Sequence, residues 1–368
     1  MRVISNREGL LSACQLVSAA IPAREVKPIL KNLKAIAEDG RCTLMATDLE
    51  VGIRLDVQGL TIQEPGEAIM PANKLVAILR EARDEELAIE ADPSACLVRG
   101  SSLEFEMPSE DPAQFPDIPT FAEDKYHEMP AGVLREMIRR TVFAAASETG
   151  RYSMTGVLWE LEDSVARLVA TDGKRLALMQ GPAEGHGGHT TKGQPSVVPA
   201  KAMNLLERNL QDDPEEPVRV CLRPNEVLFR TGRSVIYSRL VEGRFPDYRL
   251  VLPKKAASRV PLAPEAFQAA VRQAAIMTEE ESKRVVLQFA RGKLTLQAQG
   301  ATAGRSKVEL PIEYDGKPLE IAFNAAYLVE MLRVLPADAD LTLELIDGGS
   351  PALFKSGGNY SYLVMPLT

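Results

Sequence analysis

Cysteine is scarce and scattered. Cys14, Cys42, Cys96 and Cys221 show no C-x-x-C spacing, so they read as reduced thiols packed like small hydrophobes rather than a zinc site or a disulfide framework. His186 and His189 lie in a glycine-rich loop with no third ligand at useful spacing, so they read as solvated loop histidines and no metal is expected. No stretch approaches the eighteen or so apolar residues of a membrane span. Met1-Arg2-Val3-Ile4-Ser5-Asn6 has no apolar h-region, and a cytoplasmic location is expected. The phosphate-loop pattern G-x-x-x-x-G-K-[ST] is missing; the nearest stretch, Gly300-Ala301-Thr302-Ala303-Gly304-Arg305-Ser306, has the wrong spacing and lacks the lysine. A G-x-S-x-G nucleophile elbow is also missing. These absences leave an enzyme reading, such as a hydrolase or nucleotide-binding transferase, with thin support, and no cofactor is expected.

What is present is repetition. Pro71-Ala72-Asn73-Lys74-Leu75-Val76-Ala77-Ile78-Leu79-Arg80 returns as Pro199-Ala200-Lys201-Ala202-Met203-Asn204-Leu205-Leu206-Glu207-Arg208, and more faintly as Asn324-Ala325-Ala326-Tyr327-Leu328-Val329-Glu330-Met331-Leu332-Arg333. Ala46-Thr47-Asp48 recurs as Ala170-Thr171-Asp172, and Phe115-Pro116-Asp117 as Phe245-Pro246-Asp247. The interval is about 125 residues and the markers keep their order, so a chain of 368 residues contains one module three times. Asp48 and Asp172 could imitate a catalytic carboxylate pair, but the repeat explains them as the same turn in two modules. With 45% hydrophobic and 26% charged residues the composition is that of an ordinary globular protein, and three modules of this size can each bury a core.

Each module opens with a short strand and a helix whose apolar residues fall three and four apart: Leu10, Leu11, Cys14 and Val17; Leu134, Met137, Ile138 and Thr141; Phe267, Ala270, Val271 and Ala274. Alternating runs follow. Gly156 to Leu161 and Val165 to Ala170, across Glu162-Asp163-Ser164, predict one hairpin; Arg284 to Ala290 and Lys293 to Ala298, across Arg291-Gly292, predict another. Second helices lead into strands at Leu87 to Glu90, Val218 to Leu222 and Leu341 to Leu345. The predicted class is α+β, two helices on antiparallel sheet, three times over. Proline-rich stretches place the domains at 1–122, 123–252 and 253–368, and the glycine-rich loop from Gly181 to Pro195 breaks the pattern.

Net charge is −8, which argues against a surface coated in base for nucleic acid. Its distribution is uneven. Helices predicted over 7–20, 72–83, 131–146, 200–210, 264–277 and 324–335 carry eleven Lys and Arg against six acids, so the helices hold +5 and the remainder −13. Arg80, Arg208 and Arg333 occupy one place in the three repeats, and Arg139 matches Arg272. Solvated helix faces often hold arginine; a shared face of such helices would instead make a basic strip suited to a phosphate backbone. Without stacking aromatics or a zinc finger such a strip cannot read bases.

Four segments add a resemblance. Arg151-Tyr152-Ser153-Met154-Thr155-Gly156, Ala170-Thr171-Asp172-Gly173-Lys174-Arg175-Leu176-Ala177, Gly243-Arg244-Phe245-Pro246-Asp247-Tyr248 and Tyr362-Leu363-Val364-Met365-Pro366-Leu367 stand in the right order on a threefold repeat. In these the whole chain resembles the bacterial DNA sliding clamps, the beta subunits of DNA polymerase III. The resemblance implies a homodimer closed head to tail into a six-domain ring around duplex DNA, with helices lining the hole. Heterologous contacts between identical subunits make such rings when the rotation closes. Implied partners are double-stranded DNA, the replicative polymerase catalytic subunit, the clamp loader, and repair and translesion polymerases carrying clamp-binding peptides; no catalytic activity is implied.

The same resemblance implies a peptide-binding pocket walled by Met154, Thr171, Gly173, Lys174, Arg175, Leu176, Pro246, Val251, Val364, Met365, Pro366 and Leu367. Leu250 stands where the family usually has a second arginine, and Leu367-Thr368 replaces the usual methionine and arginine. DNA contacts are expected from Arg24 and Lys27, in the loop after the first helix, and from Lys74, Arg80, Arg139, Lys201, Arg208, Arg272 and Arg333. In the matching loop of the second repeat, Ser147-Glu148-Thr149-Gly150, Glu148 would repel phosphate. At the dimer seam the resemblance points to Phe105 against Ile276 and Met277, flanked by Glu104 and Glu106 on the first domain and Arg305 and Lys307 on the third. The family pattern leads one to expect the opposite polarity, so the charges are read as exchanged in this chain, which would disfavour mixed rings.

Overall fold

The computed structural model describes residues 1–367 except 25–26, 93, 148–151, 195, 211–212, 280 and 301–303. All six predicted helices are present: α1 (Arg7–Ser18), α2 (Ala72–Glu81), α3 (Ala131–Arg139), α4 (Ala200–Asn209), α5 (Pro264–Ala275) and α6 (Ala325–Arg333). In α1 the Asn6 side chain caps the Gly9 N–H at 3.0 Å, and Leu10, Ala13, Cys14 and Val17 form the buried stripe. Asn324 caps α6 in the same way, through Ala326. Pro264 starts α5, where its missing N–H costs no intrahelical bond. The helix expected over 131–146 is shorter. It ends at Arg139, where the Thr141 hydroxyl takes the Met137 carbonyl at 2.7 Å, and a 3₁₀ turn, Val142–Ala144, follows.

Both predicted hairpins form, Gly156–Glu162 with Val165–Thr171 and Arg284–Ala290 with Lys293–Gly300. Gly292 adopts φ +70, as its tight turn requires. The four cysteines are free and buried, and burial pushes the Cys42 thiol up to about 11. No helix among the described residues is long and apolar enough to cross a membrane.

Where the strands go was not legible in the modules. The chain forms two compact units, residues 1–133 with 183–240, and 134–182 with 241–368. In the first unit a nine-stranded sheet joins strands of the first and second repeats: Val51–Val57 of one pairs antiparallel with Ser234–Arg239 of the other. In the second unit Arg175–Pro182 of the second repeat pairs with Tyr360–Val364 of the third, in a sheet that continues through Ala352–Ser356, Leu341–Leu345 and Ser258–Leu262. The cores are therefore shared between repeats, because the second repeat pairs one strand with each neighbour while the first and third repeats each contribute one. Ile53 and Ile236 are fully buried where they meet, as are Ala177 and Tyr362.

The glycine-rich loop holds one more correction. Part of it, Glu184–His186, pairs with Tyr126–Pro130, and His189 is buried rather than solvated. Its Nδ1 lies 2.8 Å from Nδ1 of the buried His127, and its Nε2 lies 3.1 Å from both the carbonyl oxygen and the amide nitrogen of Leu222. Burial lowers the His189 pKa, which favours the neutral ring. His186 stacks on Tyr126 at 4.7 Å. No cluster of metal-ligating side chains occurs among the described residues.

Candidate functional site

The second Thr-Asp turn is built by its own side chains. Asp172 accepts the backbone N–H groups of Lys174 at 2.9 Å and Arg175 at 3.1 Å, and the Thr171 hydroxyl donates to the Arg175 carbonyl at 2.6 Å. Gly173 takes φ +88, a left-handed position that a side chain would strain. Arg175 folds back beneath the turn and is 8% exposed. Its guanidinium donates to Asp172 at 3.0 Å and to the Phe143 carbonyl at 2.8 Å, binds Glu330 of α6, and lies 4.5 Å from the Tyr327 ring centroid. Burial works against the charge, but the neighbouring Tyr362 and Glu330 outweigh it and hold the pKa above the ordinary arginine value.

The carboxyl-terminal segment lies against this turn. Arg175 is opposite Val364 in the sheet, the Met365 N–H donates to the Lys174 carbonyl at 2.8 Å, and the Leu367 N–H donates to the Ala322 carbonyl at 2.8 Å. A third segment is fastened to the same run of strands: Tyr248 donates to Glu160 at 2.9 Å, and Arg249 reaches the same carboxylate at 2.7 Å. Phe245 is buried beneath it. Of the expected pocket residues, Thr171, Arg175, Leu176 and Val364 are buried. Met154, Pro366 and Leu367 are half-buried, while Gly173, Lys174, Pro246, Val251 and Met365 are exposed. Leu250, in place of an arginine, is 82% exposed, the most open of the large apolar side chains here. Exposed Leu250, Val251 and Met365 on a hydrogen-bonded base suit an apolar peptide anchor.

The basic residues divide. Arg24 and Lys27 are exposed on either side of residues 25–26, which lie outside the described residues, as do 148–150 of the second repeat's loop. Lys74, Arg80, Arg139 and Arg208 are exposed on their helices. Arg272 and Arg333 come together at a recess of about 400 Å³ between α5 and α6, with Glu265 and Gln268 on the same rim. Lys201 turns inward: its ammonium donates to Asp48 at 2.6 Å and to the Ala20 and Ile21 carbonyls at 3.1 and 3.3 Å.

Comparison with known proteins decides the family. Family models of the DNA polymerase III beta subunit match end to end: its N-terminal domain over residues 1–119, its central domain over 128–247 and its C-terminal domain over 249–368. The chain belongs to the DNA polymerase III beta subunit family. It is similar to the beta sliding clamps of Pseudomonas putida (34% identical) and Escherichia coli K12 (31%), each match covering all of both proteins. A sliding clamp from Pseudomonas aeruginosa, solved bound to griselimycin, superposes with a TM-score of 0.91 at 30% identity, covering 100% of this chain and 99% of that one. As a member of this family the chain is a non-catalytic processivity factor of DNA polymerase III, built from three clamp domains.

The expected seam residues lie on the last strands of two sheets or at the end of α5. Glu104, Phe105 and Glu106 sit on Glu104–Pro108, the last strand of a five-stranded sheet, and Phe105 is 44% exposed. Arg305 and Lys307 sit on Gly304–Pro311, the last strand of a four-stranded sheet. Ile276 at the end of α5 is 71% exposed, and Met277 is half-buried. Sequence reasoning missed the side chains that brace the site: Glu160, Glu330, Tyr327 and Phe143. They are far away in the chain from what they hold, and no local pattern marks them.

Proposed function

We propose that two copies of the chain close head to tail into a ring that encircles duplex DNA without reading its sequence, and that partners dock on the pocket. The observation that carries this is the count of sheet junctions. Val51–Val57 meets Ser234–Arg239 between repeats one and two, and Arg175–Pro182 meets Tyr360–Val364 between repeats two and three. The third repeat's counterpart of the first member, Gly304–Pro311, and the first repeat's counterpart of the second, Glu104–Pro108, stay open. Open edges with an exposed Phe105 are a liability that a second copy removes. Burying the 44% of that side chain still exposed would contribute about 1 kcal/mol at each seam.

Exposed Arg24, Lys27, Lys74, Arg80, Arg139, Arg208, Arg272 and Arg333 would give mobile phosphate contacts, and weak electrostatic binding lets a protein slide. Lys201 serves the fold in this reading. The domain limits follow as 1–122, 123–252 and 253–368. The pocket would take short linear peptides from the replicative polymerase catalytic subunit, the clamp loader, and repair and translesion polymerases, in the cytoplasm. Met365→Ala tests the pocket: motif-peptide affinity should fall by about tenfold while the dimer stays intact. Unchanged affinity would move the site elsewhere.

A further inference from the structure

The chain holds three histidines, His127, His186 and His189, and all three gather where the glycine-rich loop meets the nine-stranded sheet. The strand Tyr126–Pro130 begins too late to cover its neighbour: His127 is opposite Val220, and in the same register the partner of Leu222 would be Lys125, before the strand starts. His189 fills that gap. Its Nε2 stands 3.1 Å from both the amide nitrogen and the carbonyl oxygen of buried Leu222, so an imidazole takes the place of the missing strand. Glycine makes the reach possible. Gly187 and Gly188 turn the chain at φ +62 and +73, and a Cβ on Gly187 would meet the Asp124 carbonyl oxygen at 2.7 Å.

A neutral pair fits here in either tautomer. With Nε2 bare, His189 accepts the Leu222 N–H and its Nδ1–H donates to Nδ1 of His127; with Nε2 protonated, it donates to the Leu222 carbonyl and receives a hydrogen from His127 at Nδ1. Each arrangement places one hydrogen between two nitrogens 2.8 Å apart. A second hydrogen there has no acceptor. Even the first added proton puts a charge on rings that are 0% and 8% exposed.

The surroundings offer that charge little compensation. By strand alternation Met129, Val218, Val220 and Leu222 share the face of His127, whereas Tyr126 and Glu128, Glu184 and His186, Arg219 and Cys221, and Glu226 and Arg230 fall on the other. Asp124, Lys125 and Lys192 are exposed. Burial lowers the His189 pKa, the Leu222 carbonyl raises it less, and no charged side chain contributes to that shift.

We propose that His127 and His189 form an acid-sensitive latch, which fastens the glycine-rich loop to the sheet while both rings are neutral and frees it as they take up protons. The latch lies within one unit and needs no second copy. Freeing the loop opens the pairing of Glu184–His186 with the strand at Tyr126 and gives the Leu222 backbone groups to water. With the loop open, each ring titrates at the ordinary histidine value, about 6.5, whereas the closed loop keeps the rings neutral. The open form therefore binds more protons, and it gains on the closed form as the pH falls below about 6.5, by up to about tenfold per pH unit for each ring. His186 acts weakly in the opposite sense, because its protonated ring would gain Glu184 at 3.9 Å in a pair largely open to water.

Amide hydrogen exchange on the full chain, corrected for the intrinsic effect of pH on exchange, tests the latch. Protection of residues 184–194 and of Leu222 should fall about tenfold between about pH 6.5 and 5.5, while Val51–Val57 of the same sheet keeps its own. His189→Gln, whose amide can still meet Leu222 but does not titrate, should make loop protection independent of pH over that range. His186→Gln should leave the fall unchanged. Constant protection in the unmodified chain, a fall that persists in His189→Gln, or a fall abolished by His186→Gln would overturn the latch. If His189→Gln leaves the loop open at every pH, the three histidine ring signals of the unmodified chain decide by NMR. Two of them must titrate together over the interval in which protection is lost; titration outside that interval would overturn the latch equally.

Discussion

The Thr-Asp turn occurs twice with one set of hydrogen bonds and two uses. Asp48 accepts the N–H groups of Glu50 and Val51 as Asp172 accepts those of Lys174 and Arg175, and Thr47 donates to the Val51 carbonyl as Thr171 donates to that of Arg175. The outer oxygens differ. Asp172 holds its own Arg175, which also binds Glu330 and the Phe143 carbonyl, whereas Asp48 holds Lys201 from α4 of the next repeat. The residue after the aspartate differs too: Gly173 at φ +88 is unstrained, while Leu49 at φ +78 is not. Duplication preserved the turn as backbone structure, and the side chains hung on it made one copy a brace between the first and second repeats and the other a brace to α6 of the third, at the base of the proposed binding surface.

Four substitutions sharpen this contrast. Arg175→Met should have the largest effect, about 3 kcal/mol lost in urea unfolding, because it leaves Asp172 and the Phe143 carbonyl without their buried partner. It should also weaken peptide binding. Lys201→Met should lose less, about 1 kcal/mol, since its ammonium is partly open to water. Leu49→Gly should gain up to about 1 kcal/mol by relieving the left-handed leucine, and the mirror change Gly173→Leu should lose about as much. Equal losses for Arg175→Met and Lys201→Met would mean that the two turns are energetically alike and the contrast is only geometric.

Local pattern carried the helices, both hairpins and the Thr-Asp turns, because spacing, caps and turn chemistry act within a few residues. The stop of α3 at Arg139 escaped because Thr141 reads as a stripe position until its hydroxyl is seen on the Met137 carbonyl. Sheet continuation between repeats, implied only by the resemblance, was invisible to local pattern for a deeper reason. Pairing Val51–Val57 with Ser234–Arg239 joins segments nearly two hundred residues apart, and strand alternation says which face is buried without naming the neighbour. His189 and Lys201 escaped in the same way, since their partners His127 and Asp48 are distant in the chain. The proposed pocket residues came from the four resembling segments; which of them are buried and which exposed came only from the fold.

Retention on DNA of different topology tests the central claim most directly. The chain is loaded by a bacterial clamp loader onto a nicked circular plasmid, and the amount bound is measured before and after a single restriction cut. Encirclement by a closed two-copy ring predicts stable retention on the circle and loss through the free ends after cutting. Equal retention on circle and linear DNA would contradict it and leave a protein that binds DNA from one side.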